Sequence, residues 1–468
     1  MSYFSFIYLG IFSLIISILS FFNIVYSYYF NLYLNLDSYV YSLIISLLFG
    51  LFFLIKKKNK LKISIYTKII TVISGYLFLP AILSIPFYFS IYNISFLDSY
   101  FESISGFTST GFTIIDNIKH LDESLILWRS SSQWVGGLYF LFSIITLLDI
   151  FDNNLKKSLT NFLSFNKSET LKQSFKILIL YFLLTLFLFI IFQIFDFRTF
   201  ISFNLAMTVI SSGGFLPVNE LSSVVNTETK EIIFSLSMLV SFFSIFLSYN
   251  IFFFKSKNIN FFQEDIYLLF YFLFLLFIFL VFFNFDYNFS IILLSLISSI
   301  SNMGFSLENN PSNLSFIFLI LVIIGGSFFS TSSGIRFLKL YTLFKFSIND
   351  LISHVRPKNV FINKHIYLNI SFEKKEVNKY FLSLIIFIIS LLLLTSLLSI
   401  SGSSLESSFK LAILALMNTV NSSMYGLPNF EFQELHFLTK YYLIIFMIIG
   451  RVELLTLLII CKKILFKN

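Results

Sequence analysis

The sequence predicts an all-α integral membrane protein, in which an N-terminal helix pair precedes four repeated helix–loop–helix units. Three observations predict this fold. First, the composition is strongly apolar, since 57% of the 468 residues are hydrophobic, 12% are charged and the mean hydropathy is +0.88. A soluble globular protein carries about 25% charged residues. Second, the chain contains ten long apolar stretches, and third, four short polar segments that resemble one another lie between pairs of them.

The ten apolar stretches are each long enough for a membrane-spanning helix, which needs about 20 predominantly apolar residues. They lie at 3–30, 38–55, 69–91, 125–150, 174–195, 229–254, 264–284, 314–346, 379–400 and 436–461. Ten spanning helices are therefore expected, divided into the N-terminal pair at 1–68 and units at 69–152, 173–257, 264–350 and 379–466. The first stretch is not expected to be a cleaved signal peptide, because the first lysine, Lys56, follows it.

Lysine and arginine residues orient these spans, because cytoplasmic loops carry an excess of both. The lysine cluster at 56–68 predicts a cytoplasmic loop after the second span. Alternation then places both termini inside, with 25 of the 32 Lys and Arg residues on the inner side and six outside. Of the 24 Asp and Glu residues, 15 fall outside. This excess reflects either orientation bias or an outer vestibule that concentrates cations. We expect a multi-pass protein of the cytoplasmic (inner) membrane.

The four polar segments share a pattern of hydroxyl residues and glycine. They read SGFTSTGF at 105–112, TVISSGGF at 208–215, SSISNMGF at 298–305 and TVNSSMYGL at 419–427. When the segments are aligned on the last glycine that they share, the equivalent positions are Gly111, Gly214, Gly304 and Gly426. Small residues are common at helix contacts in membranes. Four occurrences in the same position between two spans nevertheless favour a repeated structural role.

Such segments favour a cation filter made of backbone carbonyl groups. Non-helical backbone at membrane depth is tolerated only where protein buries it or where it lines a water-filled cavity. Glycine tolerates positive φ angles, so successive carbonyls can turn toward one axis and replace the hydration shell of a cation. The negative C-terminal ends of the preceding short helices would face the same ion. We therefore expect four helix–pore loop–helix repeats around a central pore. The predicted filter residues are Ser109, Thr110, Gly111, Ser212, Gly213, Gly214, Asn302, Met303, Gly304, Met424, Tyr425 and Gly426.

Two further features are expected beneath the filter. The segment 325–336 interrupts an apolar run with small polar residues, which predicts either a pore-obstructing intramembrane loop or a plain helix kink. The predicted gate residues in it are Gly325, Gly326, Ser330, Thr331, Ser332, Ser333 and Gly334. Arg451 lies about fifteen residues into the last span, too deep for simple snorkelling. It is expected to face the permeation path, with a structural ion pair as the alternative. Arg129 and Gln133 are candidates for bracing the filter.

These motifs resemble the Trk/Ktr/HKT superfamily of potassium transporters, and specifically its Trk-type membrane subunit (TrkH-like). The resemblance covers nearly the whole chain. Besides the first filter it includes WRSSSQWVGG (128–137), ISSGGF (210–215), GGSFFSTSSGIR (325–336), HVRPKNVF (354–361) and GRVELLTLL (450–458). The N-terminal helix pair favours the Trk type over the shorter Ktr type. The third and fourth predicted filters are bulkier than is usual in the family, and two serines of 330–336 replace its usual glycines.

The resemblance implies potassium uptake across the cytoplasmic membrane, with K⁺ as the permeant ion and neither an organic cofactor nor an enzyme activity. It also implies a homodimer in membrane lipid, a cytosolic nucleotide-binding regulatory subunit (TrkA-like) on the inner face, and no nucleic-acid partner. Na⁺ or non-selective cation transport by the same fold is the alternative within this class. A multi-span membrane enzyme is the alternative from another class. The sequence lacks the large outer loops with paired carboxylates expected of such an enzyme, and its four His residues are unclustered.

Overall fold

The protein is described by a computed structural model that covers most of the chain. The described residues are 6–55, 65–91, 94–151, 170–252, 263–283, 288–307, 312–353, 374–427, 430–452, 456, 458–459 and 462–463. Within them the secondary structure is helical, apart from loops and one isolated bridge between Ile324 and Ile335. Two features named from the sequence lie outside the described residues: most of the lysine cluster at 56–68 and the HVRPKNVF segment.

Long and short helices alternate along the described chain. The α-helices are α1 (Phe6–Tyr29), α2 (Leu36–Ile55), α3 (Ile65–Ser90), α4 (Phe96–Phe107), α5 (Glu123–Phe151), α6 (Thr170–Ile194), α7 (Thr199–Ile210), α8 (Glu228–Phe242), α9 (Ile245–Phe252), α10 (Gln263–Phe283), α11 (Phe289–Ile300), α12 (Ser315–Ile323), α13 (Phe337–Ser353), α14 (Lys374–Ile400), α15 (Leu405–Leu416) and α16 (Phe437–Val452). After α1 and α2, the order long helix, 12-residue helix, loop, long or divided helix recurs four times. The predicted all-α class is confirmed.

Seven of the described helices are long and apolar enough to cross a membrane, namely α1, α2, α3, α5, α6, α10 and α14. The other three predicted spans differ from them. The stretch 229–254 is divided into α8 and α9 at Phe243, and the stretch 314–346 is divided into α12 and α13 by the segment 324–336. In the last stretch, α16 covers 437–452 and the description then becomes discontinuous. None of these three stretches therefore forms one continuous described helix of spanning length, although the hydropathy of each predicts a crossing.

Helix α5 occupies the interior of the molecule, since all residues of its most apolar stretch are buried, whereas only 22% of those in the corresponding stretch of α10 are. The outward face of α10 carries exposed Phe270, Phe274 and Phe277, as expected for a helix in contact with lipid. The N-terminal pair α1 and α2 packs through small side chains, with Ser20 Oγ 3.2 Å from Ser42 Oγ. Because lipid is as apolar as leucine, close packing of small residues holds such helices together.

Candidate functional site

The four short helices α4, α7, α11 and α15 end in the same C-terminal motif. The residue after each helix cap has a positive φ between 48° and 60°, and these residues are Ser109, Ser212, Asn302 and Asn418. The next residue donates its N–H five positions back, as Thr110 does to the Ser105 carbonyl at 2.9 Å. This is the Schellman arrangement, which satisfies the last helix carbonyls and turns the chain sharply. Four different sequences therefore form one backbone structure.

The shared motif aligns the four loops residue by residue. Two positions after the positive-φ residue stand Gly111, Gly214, Gly304 and Val420. The predicted equivalence of Gly426 with the other three glycines is therefore wrong. Gly426, at φ 69°, instead closes a separate 3-10 turn formed by Ser423–Tyr425. The structure consequently places Asn418, Thr419 and Val420, and not Met424, Tyr425 and Gly426, at the level of the other three loops.

The first three loops are in direct contact with one another. A Cβ atom added to Gly111 would lie 2.5 Å from the Cα of Gly214, so the first and second loops meet through their backbones. Ser212 Oγ donates to the Ser301 carbonyl at 2.5 Å and joins the second loop to the third. No side chain separates Gly111 from Gly214, which explains why both positions carry glycine.

The fourth loop closes this arrangement into a ring. Asn302 Nδ2 lies 3.4 Å from Thr419 Oγ1, which joins the third loop to the fourth. Asn418 Nδ2 donates to Thr110 Oγ1 at 3.0 Å and joins the fourth loop back to the first. All four of these side chains are buried. Each loop thus touches the next around a common centre, which we call the pore-loop ring.

Val420 is the one residue with a side chain at the glycine level of the pore-loop ring. A Cβ atom added to Gly214 would lie 2.6 Å from Val420 Cβ, and one added to Gly304 would lie 2.8 Å from Val420 Cγ1. The isopropyl group therefore lies against the second and third loops at the level where the others expose only backbone.

A cavity of about 450 Å³ opens directly onto this level of the ring. Its lining includes Gly111, Gly214, Gly304 and Val420 together with polar residues such as Glu220. The lining segments follow the four loops and, in the predicted topology, face the outside. The charged residues in its lining are Arg129 and Glu220, so the lining itself carries no excess of acidic groups.

A buried ion pair fastens the first two loops from behind. Arg129 Nε lies 3.1 Å from Glu102 Oε1, with the two side chains 1% and 0% exposed. Glu102 also accepts the Ile114 N–H at 3.0 Å, and Arg129 Nη2 donates to Thr113 Oγ1 at 3.1 Å. The guanidinium carbon lies 4.2 Å from the centre of the Phe215 ring. Since Thr113 and Ile114 follow the first loop and Phe215 follows the second, the pair holds both.

Gln133 braces the second loop from the same helix, α5. With its amide oriented to satisfy both of its polar atoms, its oxygen accepts the N–H groups of Gly214 at 3.0 Å and Phe215 at 2.8 Å. Its nitrogen then donates to Thr208 Oγ1 at 3.3 Å. Arg129 and Gln133 therefore both contact residues of the first two loops from α5.

We expect Glu102→Ala to lower the thermal stability of the detergent-solubilised protein substantially. The substitution leaves the Arg129 guanidinium buried without its carboxylate, and breaking a buried pair costs about 3–5 kcal/mol. The control is Glu406→Ala, which removes the Glu406–Lys410 pair, whose glutamate side chain is 78% exposed. Exposed pairs contribute little to stability, so the control should melt like the parent. Equal melting temperatures for both variants would contradict the bracing role.

The segment 324–336, here called the gate loop, lies on the other side of the pore-loop ring from the cavity. Its two ends pair, since Gly325 N–H donates to the Ile335 carbonyl at 2.9 Å. Its middle reaches the end of α7, where Thr331 Oγ1 donates to the Ile210 carbonyl at 2.8 Å. Gly334 has φ +77°, and an added Cβ would lie 2.7 Å from the Cα of Gly325. The segment is a non-helical intramembrane loop rather than a plain helix kink, and it contains all seven predicted gate glycines, serines and threonine.

Arg451 connects the gate loop to the pore-loop ring. Its side chain is 1% exposed. Nη1 donates to Ser333 Oγ, Nη2 donates to the Ser211 carbonyl at 3.4 Å, and the guanidinium carbon lies 4.0 Å from the centre of the Phe140 ring. Within the described part of the chain, no carboxylate lies at ion-pair distance from Arg451. The contacts of Arg451 are thus with the loop beneath the ring and with the cap of α7.

Arg336 is a second buried cation at the same place, and the sequence hypothesis did not include it. Its Nη1 donates to the carbonyls of Ser327 at 3.0 Å and Ser332 at 2.9 Å, so it holds the gate loop in its folded shape. Its guanidinium carbon lies 4.9 Å from the same Phe140 ring. An arginine directly after a run of small polar residues inside an apolar stretch was the signal that could have identified it.

The sequence matches known transport proteins. The model of the TrkH family, described as a cation transport protein, matches residues 37–253. An uncharacterized cation transporter of Methanocaldococcus jannaschii is 25% identical over 325 residues, which are 67% of this chain and 66% of that protein. The chain thus spans slightly less than two thirds of that relative's length. The Trk system potassium uptake protein TrkH of Escherichia coli K12 is 23% identical over 401 residues, 81% of each chain.

The fold also matches a solved structure. The crystal structure of the potassium transporter TrkH from Vibrio parahaemolyticus superposes with a TM-score of 0.81 over 98% of both chains, at 21% sequence identity. The matched proteins are transporters and not enzymes, which excludes the membrane-enzyme interpretation. The chain is a multi-pass membrane protein that resembles TrkH in sequence over residues 37–253 and in fold over nearly its whole length.

Proposed function

We propose that this chain is the membrane subunit of a Trk-type potassium uptake system and that K⁺ crosses the membrane through the pore-loop ring. The observation that carries the proposal is that four helices end in the same backbone motif and that their turns meet in one closed ring. Carbonyl groups of such turns replace the hydration shell of a permeant cation, and helix C-termini directed at it add negative potential.

The proposed filter residues differ from the sequence hypothesis only in the fourth loop. They are Ser109, Thr110, Gly111, Ser212, Gly213, Gly214, Asn302, Met303, Gly304, Asn418, Thr419 and Val420. Ions enter from the 450 Å³ cavity, pass the ring and meet the gate loop, with Arg451 beside it. The gate loop then controls release toward the cytoplasm.

The assembly in which this happens is also part of the proposal. We infer that the protein lies in the cytoplasmic (inner) membrane. The distribution of Lys and Arg supports an orientation with both termini in the cytoplasm. We infer a homodimer, with units at 69–152, 173–257, 264–350 and 379–466 in each chain. We also infer a cytosolic nucleotide-binding regulatory subunit, since the E. coli relative is named as part of a Trk system.

Uptake of labelled Rb⁺ tests this function. The chain is expressed in cells that lack their own K⁺ uptake systems, with and without a co-expressed cytosolic regulatory subunit. We expect saturable Rb⁺ uptake that K⁺ competes away and that the regulatory subunit alters. A membrane-inserted chain that moves no Rb⁺ under either condition would refute potassium uptake.

A second candidate function is Na⁺ or weakly selective cation transport, and Val420 favours it. The fourth loop alone carries a side chain at the position where the other three loops carry glycine. We expect Val420→Gly to raise Rb⁺ uptake several-fold and to lower its inhibition by Na⁺, because the substitution removes the isopropyl group that contacts the second and third loops. Val420→Ala, which keeps a Cβ atom, should have an intermediate effect. Unchanged uptake and unchanged Na⁺ inhibition in both variants would show that Val420 does not control selectivity.

A further inference from the structure

Two buried carboxylates lie side by side at the start of α10, outside the pore-loop ring. Glu264 is 0% exposed and Asp265 is 3% exposed. Carboxylates are almost never fully buried unless they are paired or hydrogen-bonded. Acidic residues within a membrane-spanning helix are usually kept for a function. The transport path described above uses neither of them.

Glu264 holds the beginning of the gate loop. Its Oε2 accepts the Ser327 hydroxyl at 3.0 Å, and the Phe328 N–H lies 3.1 Å from Oε1 and 3.2 Å from Oε2. In the sequence the gate loop connects α12 to α13. Glu264 ties it to a third helix, α10.

Asp265 holds a second irregular segment, the break between α8 and α9. Its Oδ1 accepts the Ser244 N–H at 3.0 Å. Ser244 lies between the last residue of α8, Phe242, and the first residue of α9, Ile245. Adjacent residues of α10 therefore bind the two interrupted spans, one residue each.

The two interruptions also satisfy each other's backbone. Ser327 N–H donates to the Phe242 carbonyl at 3.0 Å, and Ile245 N–H donates to the Phe329 carbonyl at 3.1 Å. A helix break at membrane depth leaves backbone groups that must find partners within the protein. The break between α8 and α9 finds them in the gate loop, and the gate loop finds them in the break. Neither segment can move far without breaking the backbone hydrogen bonds that it makes with the other.

We propose that Glu264 is a positioning residue that latches the gate loop onto the break between α8 and α9, while Asp265 holds the break in place. The latch is a contact within the fold, and its effect on flux rests on the proposed function. Displacing the gate loop requires release of Ser327 and Phe328 from Glu264. Glu264 holds the beginning of the gate loop, and the contacts of Thr331 and Arg451 hold its later part at the pore-loop ring.

Accessibility of a thiol in the gate loop tests the latch without measuring transport. The reporter is full-length protein in membranes carrying Cys461→Ser and Thr331→Cys, because Thr331 is 3% exposed and Cys461 is the single cysteine. Losing the hydrogen bonds of Glu264 to Ser327 and Phe328 shifts an opening equilibrium by about tenfold. We therefore expect Glu264→Ala to speed labelling by a water-soluble thiol reagent by about tenfold.

Three controls separate a latch from general loosening. Asp37→Ala removes a first-turn acid of another spanning helix, α2, and should leave labelling slow. A second reporter, Ser20→Cys, is buried between α1 and α2 and should stay slow in Glu264→Ala. Glu264→Gln, which keeps one acceptor oxygen, should give a smaller increase than Glu264→Ala. Fast labelling of both reporters would overturn the proposal, because it would show unfolding rather than release of the loop.

The remaining outcomes are also decisive. If Glu264→Ala is not recovered as folded protein, Ser327→Ala and Glu264→Gln replace it, and unchanged labelling in both overturns the latch. In parallel, Rb⁺ uptake by the variants without the reporter cysteine should rise in maximal rate at an unchanged half-saturating concentration, because the pore-loop ring is untouched. Absence of Rb⁺ uptake in the parent would refute the proposed function and leave the labelling result to decide the latch.

Discussion

Gly111→Ala is expected to reduce Rb⁺ uptake at least tenfold and to relax discrimination between K⁺ and Na⁺. Gly111 has φ +83°, where an L side chain is strained, and an added Cβ would lie 2.5 Å from the Cα of Gly214. The clash is with backbone, which cannot rotate away as a flexible side chain can. Strain of this kind costs about 1–3 kcal/mol, before the clash is counted, and each 1.36 kcal/mol on a barrier changes a rate about tenfold. The first and second loops must therefore separate, which displaces the carbonyl groups between them.

The matched control for this substitution is Gly402→Ala. Gly402 also has a positive φ, +106°, but an added Cβ would meet no atom within 4 Å. It shares the backbone strain of Gly111 without the contact with another loop. We expect uptake near that of the parent, when Rb⁺ uptake is normalised to the amount of membrane-inserted protein. If both variants lost uptake equally, backbone strain rather than the contact between loops would explain the effect. If neither did, Gly111 would not belong to the filter.

Arg451→Ala is expected to raise Rb⁺ uptake several-fold while leaving the amount of inserted protein unchanged. Two unit charges 4 Å apart interact by about 4 kcal/mol at an effective dielectric constant of about 20, which bounds the repulsion that Arg451 exerts on a cation leaving the ring. The substitution also removes the bonds to Ser333 and Ser211, and so frees the gate loop from the cap of α7. Both effects favour flux.

The structural alternative predicts the opposite result for Arg451. If the residue neutralised a buried carboxylate, its removal would leave that charge unpaired, at about 3–5 kcal/mol, and inserted protein would disappear. Among the described residues no such carboxylate lies beside it, which favours the first outcome. Arg451→Lys is the control, since it keeps the charge and loses the planar donor group. We expect it to transport more like the parent than Arg451→Ala does. Loss of inserted protein in both variants would contradict the pore-facing role.

The helices and three of the four loops could be predicted from the sequence because their signals are local. A stretch of about 20 apolar residues crosses a membrane whatever its neighbours are. In the first three loops the glycine comes three residues after the helix cap, so aligning Gly111, Gly214 and Gly304 also aligned the backbone. The short intramembrane loop could be predicted too, because small polar residues interrupt an apolar run.

The fourth loop could not be aligned in this way. Its cap, Met417, is apolar, and the equivalent of the glycine is Val420, so neither position carries the repeated pattern. The nearest glycine, Gly426, serves a different turn. Only the shared backbone bonds, such as Thr419 N–H to the Leu414 carbonyl at 3.0 Å, identify the correct register. A glycine in the sequence indicates that a backbone position needs an unusual conformation. It does not show which turn that position belongs to.

The sequence by itself determined the membrane class, the four repeats and the place of the gate loop, since each depends on residues adjacent in the chain. The tertiary structure alone decided which groups meet. Asn418 bonds Thr110, Glu264 bonds Ser327, and Arg129 lies against Phe215. These contacts join distant parts of the chain, and each partner is a common polar or aromatic residue with no local pattern. Buried polar groups must find partners wherever the fold brings them, so their pairing is a property of the packed helices and not of any one segment.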